Sequence, residues 1–285
     1  MELPSKPEHI NNLEFIRILT PYVFTHRIVK DKSVLDIGCG LGHGTWLFVV
    51  NDAEQVITID LDKTKTLQVH GFCSKFKNCS TLVMDAQKLG FKDRSIQVVT
   101  CFEVIEHILK PDLLLSEIKR ILKPDGVLFL TTPNRAKRLL PFQRPWNREH
   151  LREYTSRTFR KSLQNHFPSF ELLGIYGEPP LHEHYKNIWK QNFVHFYFGV
   201  ITPIIRRHMP KMVKRWIINQ LGDANQKGSA IPHGDSLNRV VPVTDPENWP
   251  FYVSDLDVDC LNFFVICSFD GHIVQRSIAE IKRPL

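Results

Sequence analysis

The chain has no uninterrupted apolar stretch of the roughly 18 residues that a membrane-spanning helix needs. Its first residues, Met1-Glu2-Leu3-Pro4-Ser5-Lys6-Pro7, lack the apolar core of a secretory signal, so none is expected. The six cysteines, at 39, 73, 79, 101, 260 and 267, form no Cys-x-x-Cys pair. Reduced, buried thiols in a cytoplasmic protein are therefore expected, with no cysteine-based metal site. Internal repeats and low-complexity tracts are absent. One further absence is local: residues 184–222 contain neither Asp nor Glu.

With those classes set aside, 285 residues of ordinary apolar and charged content suffice for one α/β domain with additions. The segment Val34-Leu35-Asp36-Ile37-Gly38-Cys39-Gly40-Leu41-Gly42-His43-Gly44 is the most informative. A β-branched apolar run ends in an acid, and every second residue is then glycine. Glycine accepts φ > 0 and lets another group approach the backbone, so a buried strand is expected to stop at a tight turn that faces a ligand. The apolar run from Thr45 to Val50 reads as the start of a helix. A dinucleotide-type G-x-G-x-x-G would need glycine at 43, where His43 stands. Further strands follow, each ending near an acid: Val56 to Asp60, Thr81 to Asp85, and Ile96 to Glu103. A fifth spans Val127 to Thr132 after the turn Leu122-Lys123-Pro124-Asp125-Gly126, a sixth Glu171 to Gly177, and a seventh Leu261 to Phe269. Helices are expected at 43–51, 62–76, 104–122 and 155–166, with an N-terminal helical segment over 8–29 broken at Pro21. Strands alternating with helices imply right-handed crossovers and a parallel sheet.

Together the D-x-G-x-G-x-G turn, Asp60, Asp85-Ala86, the Glu-Val-Ile-Glu-His segment 103–107 and the Leu-Lys-Pro-Asp-Gly turn resemble the class I S-adenosylmethionine-dependent methyltransferases over roughly residues 30–178. The resemblance is to the type-11/type-23 group and to ubiquinone-biosynthesis-type O-methyltransferases. It implies a Rossmann-like, doubly wound seven-stranded sheet whose last strand is antiparallel. The implied organisation is an N-terminal helical cap (1–30), a cofactor-binding core (31–178), a helical basic insertion (179–256) and a final strand (257–285). It also implies S-adenosylmethionine as cofactor, held by Asp36, Gly38, Cys39, Gly40, Asp60, Leu61, Asp85, Ala86 and Glu103. A carboxylate at Asp60 can accept hydrogen bonds from ribose hydroxyls.

Methyl transfer to an alcohol needs a base or a metal. His107 and His150 are the catalytic candidates. If a helix starts at 103, then Glu103, Glu106 and His107 share a face and could hold a divalent cation such as Mg, as the resemblance to E-x-x-E-H enzymes implies. The alternative is that Glu103 approaches the cofactor while Glu106 and His107 merely start a helix. His150 lies in Asn147-Arg148-Glu149-His150-Leu151-Arg152-Glu153-Tyr154-Thr155, ahead of a helix capped at Thr155 or Ser156. His182, His184 and His195 read as solvated or packed. The acceptor is expected to be a hydroxyl of a small molecule, free or attached to a glycan or lipid. Two rivals stand beside this reading. One is a metal-assisted, membrane-associated quinone or phenol O-methyltransferase; the other is a catalytically silent S-adenosylmethionine-binding partner subunit. The segment after strand four lacks the Asn/Asp-Pro-Pro-aromatic motif of nucleic-acid N-methyltransferases, which argues against nucleic acid as partner. Oligomeric state has no signature.

The acid-free segment carries Lys186, Lys190, Arg206, Arg207, Lys211, Lys214 and Arg215, seven positive charges that equal the formal net charge of +7. Trp189, Phe193, Phe196, Phe198 and Trp216 are interleaved with them. Two readings follow: an acceptor lid packed on the core, or peripheral contact of residues 186–221 with an anionic membrane. The lid reading expects no co-sedimentation with anionic vesicles at low salt. Pelleting that salt reverses would establish the membrane reading instead.

Overall fold

In the computed structural model, residues 12–139, 144–145, 147–178, 251–257 and 260–283 are described. The chain enters through helix α1 (Asn12–Val29) and then alternates: β1 (Ser33–Ile37), α2 (His43–Val50), β2 (Gln55–Asp60), α3 (Lys63–Cys73), β3 (Cys79–Val83) and β4 (Ile96–Phe102). A 3-10 turn (Ile105–His107), α4 (Pro111–Ile121), β5 (Leu122–Pro133), α5 (Arg135–Arg138), α6 (Ser156–Gln164) and β6 (Ser169–Gly177) complete this stretch. After residue 250 come β7 (Phe251–Asp255), β8 (Asn262–Ser268) and α7 (Gly271–Ile281). Residues 179–250 of the basic insertion, including 186–221 and His182, His184 and His195, lie outside the described residues.

The strands form one sheet of order β3-β2-β1-β4-β5-β8-β6-β7. The five on the β3 side, through β5, pair in parallel, whereas β8 pairs antiparallel with both β5 and β6. The doubly wound α/β class read from the sequence is therefore found, with one addition. β7 pairs antiparallel with β6 at the sheet edge and makes an eighth strand inside the segment taken as helical insertion. Tyr252 of β7 stacks on Tyr176 of β6, with ring centroids 5.4 Å apart, a cross-strand pair that ties this edge strand down.

Two apolar layers cover the sheet. On one face Leu19, Tyr22 and Val23 of α1 join Phe48, Val69, Val274 and Ile281 from α2, α3 and α7. On the other, Leu114, Leu115, Ile118 and Ile121 of α4 join Phe159 and Leu163 of α6. The central strands are buried on both faces, as a parallel sheet requires.

Three local expectations change. The helix α1 runs through Pro21 without ending there, because burial of Leu19, Tyr22 and Val23 offsets the single backbone bond that proline removes. The helix expected over 104–122 is split: Pro111 disfavours helical backbone at Lys110 and instead occupies the first turn of α4. Glu103 consequently precedes a short 3-10 turn and shares no helical face with Glu106 and His107. Finally, Cys73 and Cys79 are joined in a disulfide with Cα atoms 5.1 Å apart, whereas Cys39, Cys101, Cys260 and Cys267 are free and buried. The pair was expected to be reduced; the short connection from α3 to β3 brings it within bonding reach.

Gly44 shows how tightly α1 is seated. A Cβ there would overlap the Tyr22 ring. Gly44→Ala is therefore expected to destabilise by about 1–3 kcal/mol through overpacking, although alanine is the better helix former. A lowered urea midpoint checks this, and an unchanged midpoint would show that Tyr22 yields freely.

Candidate active site

The glycine turn leaves the carboxyl end of β1 between β2 and β4. Gly38, Gly40 and Gly42 have φ of 77°, 53° and 82°, which only glycine adopts at little cost. At Gly38 a side chain would also overlap Val104. Gly40 differs: nothing lies within 4 Å of where a Cβ would point, so its backbone borders open space. Its N–H donates to Asp60 Oδ2 (3.2 Å), and Asp60 Oδ1 accepts from the Asp62 N–H (2.9 Å). This ties the ends of β1 and β2 together at the turn. Leu61 is 71% exposed beside them. Asp85 is exposed and accepts from the Gln87 N–H (2.8 Å), while Ala86 is buried. The Cys39 side chain is buried, which pushes its thiol up to about 12 and leaves its backbone as the part able to meet a ligand.

Asp36 was expected at the cofactor, yet its side chain faces inward. It is fully buried, and its oxygens accept from Tyr22 Oη (3.2 Å), Thr45 Oγ1 (2.8 Å) and Thr100 Oγ1 (2.9 Å). The carboxylate thus braces α1, α2 and β4 beneath the turn. Burial pushes it up to about 6, against the lowering effect of those three donors.

Glu103, at the end of β4, has φ 55°, a strained conformation for a residue with a Cβ. Three residues hold it. Its N–H donates to Thr131 O (3.2 Å); Oε1 accepts from Thr131 Oγ1 (3.1 Å) and Asn262 Nδ2 (2.9 Å); Oε2 pairs with Arg17 Nη1 (3.3 Å). The sequence offered no signal for Arg17. Asn262 could have been noticed as a polar residue opening an otherwise apolar strand.

The segments 103–109 and 147–154, read separately in the sequence, are stitched into one site. The Leu151 and Arg152 N–H groups both donate to the Glu106 carbonyl (2.9 and 3.3 Å). Arg152 Nη1 and Nη2 donate to the carbonyls of Ile108 and Leu109 (2.8 and 2.9 Å). His107 Nδ1 lies 3.0 Å from the Glu149 carbonyl. The His107 and His150 rings meet edge to face, with centroids 4.7 Å apart. One potential ligand atom each from Glu106, His107 and His150 lies within 4.8 Å of the others, so His150 takes the place expected of Glu103 in this cluster.

Electrostatics follow from burial. Glu106 is fully buried; Oε2 accepts from Thr132 Oγ1 (3.0 Å), and Oε1 has no partner among the described residues. Burial, then the neighbouring Glu103, holds its carboxyl well above the usual range. Burial also lowers His107, which favours its neutral form. Behind His150 stands Glu153, whose side chain is wholly buried. Its Oε1 lies 3.0 Å from His150 Nδ1 and 3.4 Å from Arg138 Nε.

A glycine turn and strand-end acids at the carboxyl ends of parallel strands are the parts with which doubly wound sheets bind nucleotide-like cofactors. The chain belongs to the family described as "Methyltransferase domain", which matches residues 11–166, more than half of it. Among curated proteins it is 30% identical over 153 residues to a probable S-adenosylmethionine-dependent methyltransferase of Mycobacterium tuberculosis, covering 53% of this chain and 54% of that one. It is 33% identical over 138 residues to a ubiquinone biosynthesis O-methyltransferase of Xanthomonas oryzae pv. oryzae, covering 46% and 54%. The chain thus spans about half the length of the curated relatives it matches. Among solved structures, the YcgJ protein of Bacillus subtilis shares the fold at TM-score 0.51 and 17% identity, covering 88% and 99% of the two chains. The [4+2]-cyclase SpnF does so at TM-score 0.53 and 15% identity, covering 93% and 84%. These two likenesses concern the fold alone. S-adenosylmethionine is the cofactor of the family. Among the described residues no helix is long and apolar enough to cross a membrane.

The placement of Asp36 yields a pH dependence. The folded protein keeps a proton to about pH 6 that the unfolded chain loses near pH 4, so stability from this group falls as pH rises between those values. Asp36→Asn is neutral throughout and can keep the hydroxyl partners, since Thr45 Oγ1 also reaches Thr58 Oγ1 (3.2 Å). Its stability relative to the parent is expected to improve by about 1–3 kcal/mol from pH 4.5 to 7.5. Denaturant titrations of both proteins across that range check it; a difference that stays flat with pH would contradict it.

Proposed function

We propose that the protein methylates a hydroxyl of a small-molecule acceptor, with His150 removing the acceptor proton. The observation that carries this reading is the joining of segments 103–109 and 147–154 by the Leu151 and Arg152 N–H bonds to the Glu106 carbonyl, which brings two imidazoles into contact beyond the carboxyl end of β4. S-adenosylmethionine, when bound, supplies a methyl group already activated for displacement. What falls to the chain is to hold the acceptor in line and take its proton. The open space at Gly40 fits a cofactor that approaches the backbone. In this reading the Gly38-Cys39-Gly40 backbone and Asp60 hold the methionyl and ribose parts, Leu61, Asp85 and Ala86 border the adenine, and Glu103 faces the transfer end. Asp36 acts from beneath, by fixing the turn.

One observation favours a metal-assisted variant: the Glu106, His107 and His150 cluster, with Glu106 Oε1 buried and without a partner among the described residues. These residues fit a divalent ion, which would acidify a coordinated hydroxyl. Two nitrogens and one oxygen suit a borderline transition ion better than Mg, which prefers oxygen. Glu103, committed to Arg17, Thr131 and Asn262, is not part of that set.

The test is release of S-adenosylhomocysteine with a panel of phenols, quinols and glycosides. His150→Ala is expected to lower kcat by about 10²–10⁴-fold with the cofactor Kd unchanged. Undiminished kcat would refute the base assignment, and cofactor binding without turnover on any acceptor would favour the silent-subunit reading. Activity lost in EDTA and restored by Mn²⁺ or Zn²⁺, with no restoration by Mg²⁺, would establish the metal variant.

A further inference from the structure

We infer that Glu153 is the positioning residue of His150, holding the imidazole in the tautomer that carries its proton on Nδ1 and leaves the Nε2 lone pair free. The inference deepens the reading of His150 as base and rests on it. His150 Nδ1 lies 3.0 Å from Glu153 Oε1, and the Arg138 guanidinium lies 3.4 Å from the same oxygen. With the guanidinium donating to the same oxygen, Oε1 stands as an acceptor, so the proton of the pair sits on Nδ1 and the other ring nitrogen is the acceptor. This is the arrangement that orients a base in acyl-transfer triads and in metal-bound histidines.

The geometry is built in rather than incidental. The side chains are 6% exposed for His150 and 0% for Glu153, so water competes little for the contact. They stand three positions apart, and the loop between is pinned by the Leu151 and Arg152 N–H bonds to Glu106 and by the bridge between Asn134 and Tyr154. The second oxygen, Oε2, is buried with no partner among the described residues. A carboxylate needed only for packing would not leave an acceptor unmet, because an apolar side chain of that size would avoid the cost. His107 shows the same disposition by other means, its Nδ1 facing the Glu149 carbonyl, which also leaves Nε2 unprotonated in the neutral ring. Both imidazoles thus turn Nδ1 to an oxygen of the protein.

Two-bond ¹H–¹⁵N correlation spectra of the ¹⁵N-labelled full chain at pH 8, with EDTA present so that no ion occupies Nε2, read the tautomer directly. His150 is assigned by the signals lost in His150→Gln. The expected wild-type pattern is protonated Nδ1 and unprotonated Nε2, shifting to a mixture dominated by Nε2–H in Glu153→Ala. Protonation of Nε2 in the wild type, alone or together with Nδ1, overturns the inference. So does an Nδ1–H tautomer that survives in Glu153→Ala, because the loop rather than Glu153 would then set the ring. Should Glu153→Ala fail to fold, Glu153→Met, of similar volume and unable to accept, serves in its place: loss of the Nδ1–H tautomer supports the inference and its retention overturns it. The base reading fails separately: a locked tautomer together with full turnover in His150→Ala leaves Glu153 as positioning residue and removes His150 from the chemistry.

Discussion

Between β1 and β4 the order of strands reverses: the chain leaves β1 toward β2 and β3 and then returns to pair β4 on the other side. The connections on the two sides diverge there, so the carboxyl edge of β1 opens into a crevice that neighbouring loops cannot close. The rest of the site is arranged around that constraint. The glycine turn supplies backbone that a ligand can approach, Asp60 ties β2 to it, and β4 delivers Glu103, Glu106 and His107 to the opposite wall. Helix α1 closes the turn from outside through Phe15, whose ring meets His43 edge to face at 4.8 Å, and from beneath through Tyr22 and Asp36.

The price of this arrangement is concentrated in its acids. Asp36 and Glu106 are buried where an ionised carboxyl is costly, and Glu103 holds a backbone conformation that side chains disfavour. Each is held by partners from distant parts of the chain: Asp36 by α1, α2 and β4, and Glu103 by α1, β5 and β8. Strain and buried carboxyls thus accumulate at the carboxyl edge, while the apolar layers above and below the sheet supply the stability that tolerates them.

Much of the fold was legible because strand ends carry strong local signals: apolar β-branched runs stopping at Asp36, Asp60, Asp85 and Glu103, with glycines at the first turn. Asp60 could likewise be placed at a strand end beside the glycine turn from the chain alone. What could not be read depends on contacts between distant segments. The inward aim of Asp36 needs Tyr22, Thr45 and Thr100, which no spacing rule joins. The replacement of Glu103 by His150 in the acid–imidazole cluster follows from Pro111 splitting a helix and from a loop 40 residues later docking on the Glu106 carbonyl. β7 was missed because its five residues, Phe251–Asp255, lack a long apolar run, and the edge position asks for none. Glu153 did carry a signal, its spacing of three from His150, but that spacing is informative only once the loop geometry is known.

The central claim is that residues 103–109 and 147–154 form a single wall of the pocket into which the reactive end of the cofactor opens. A crystal structure with S-adenosylhomocysteine bound tests it most directly. The account expects the ribose hydroxyls at Asp60, the Gly38–Gly40 backbone along the homocysteine, and the sulfur facing the space bordered by Glu106, His107 and His150. A sulfur that opens toward a different wall, with both histidines screened from it by the protein, would contradict the account.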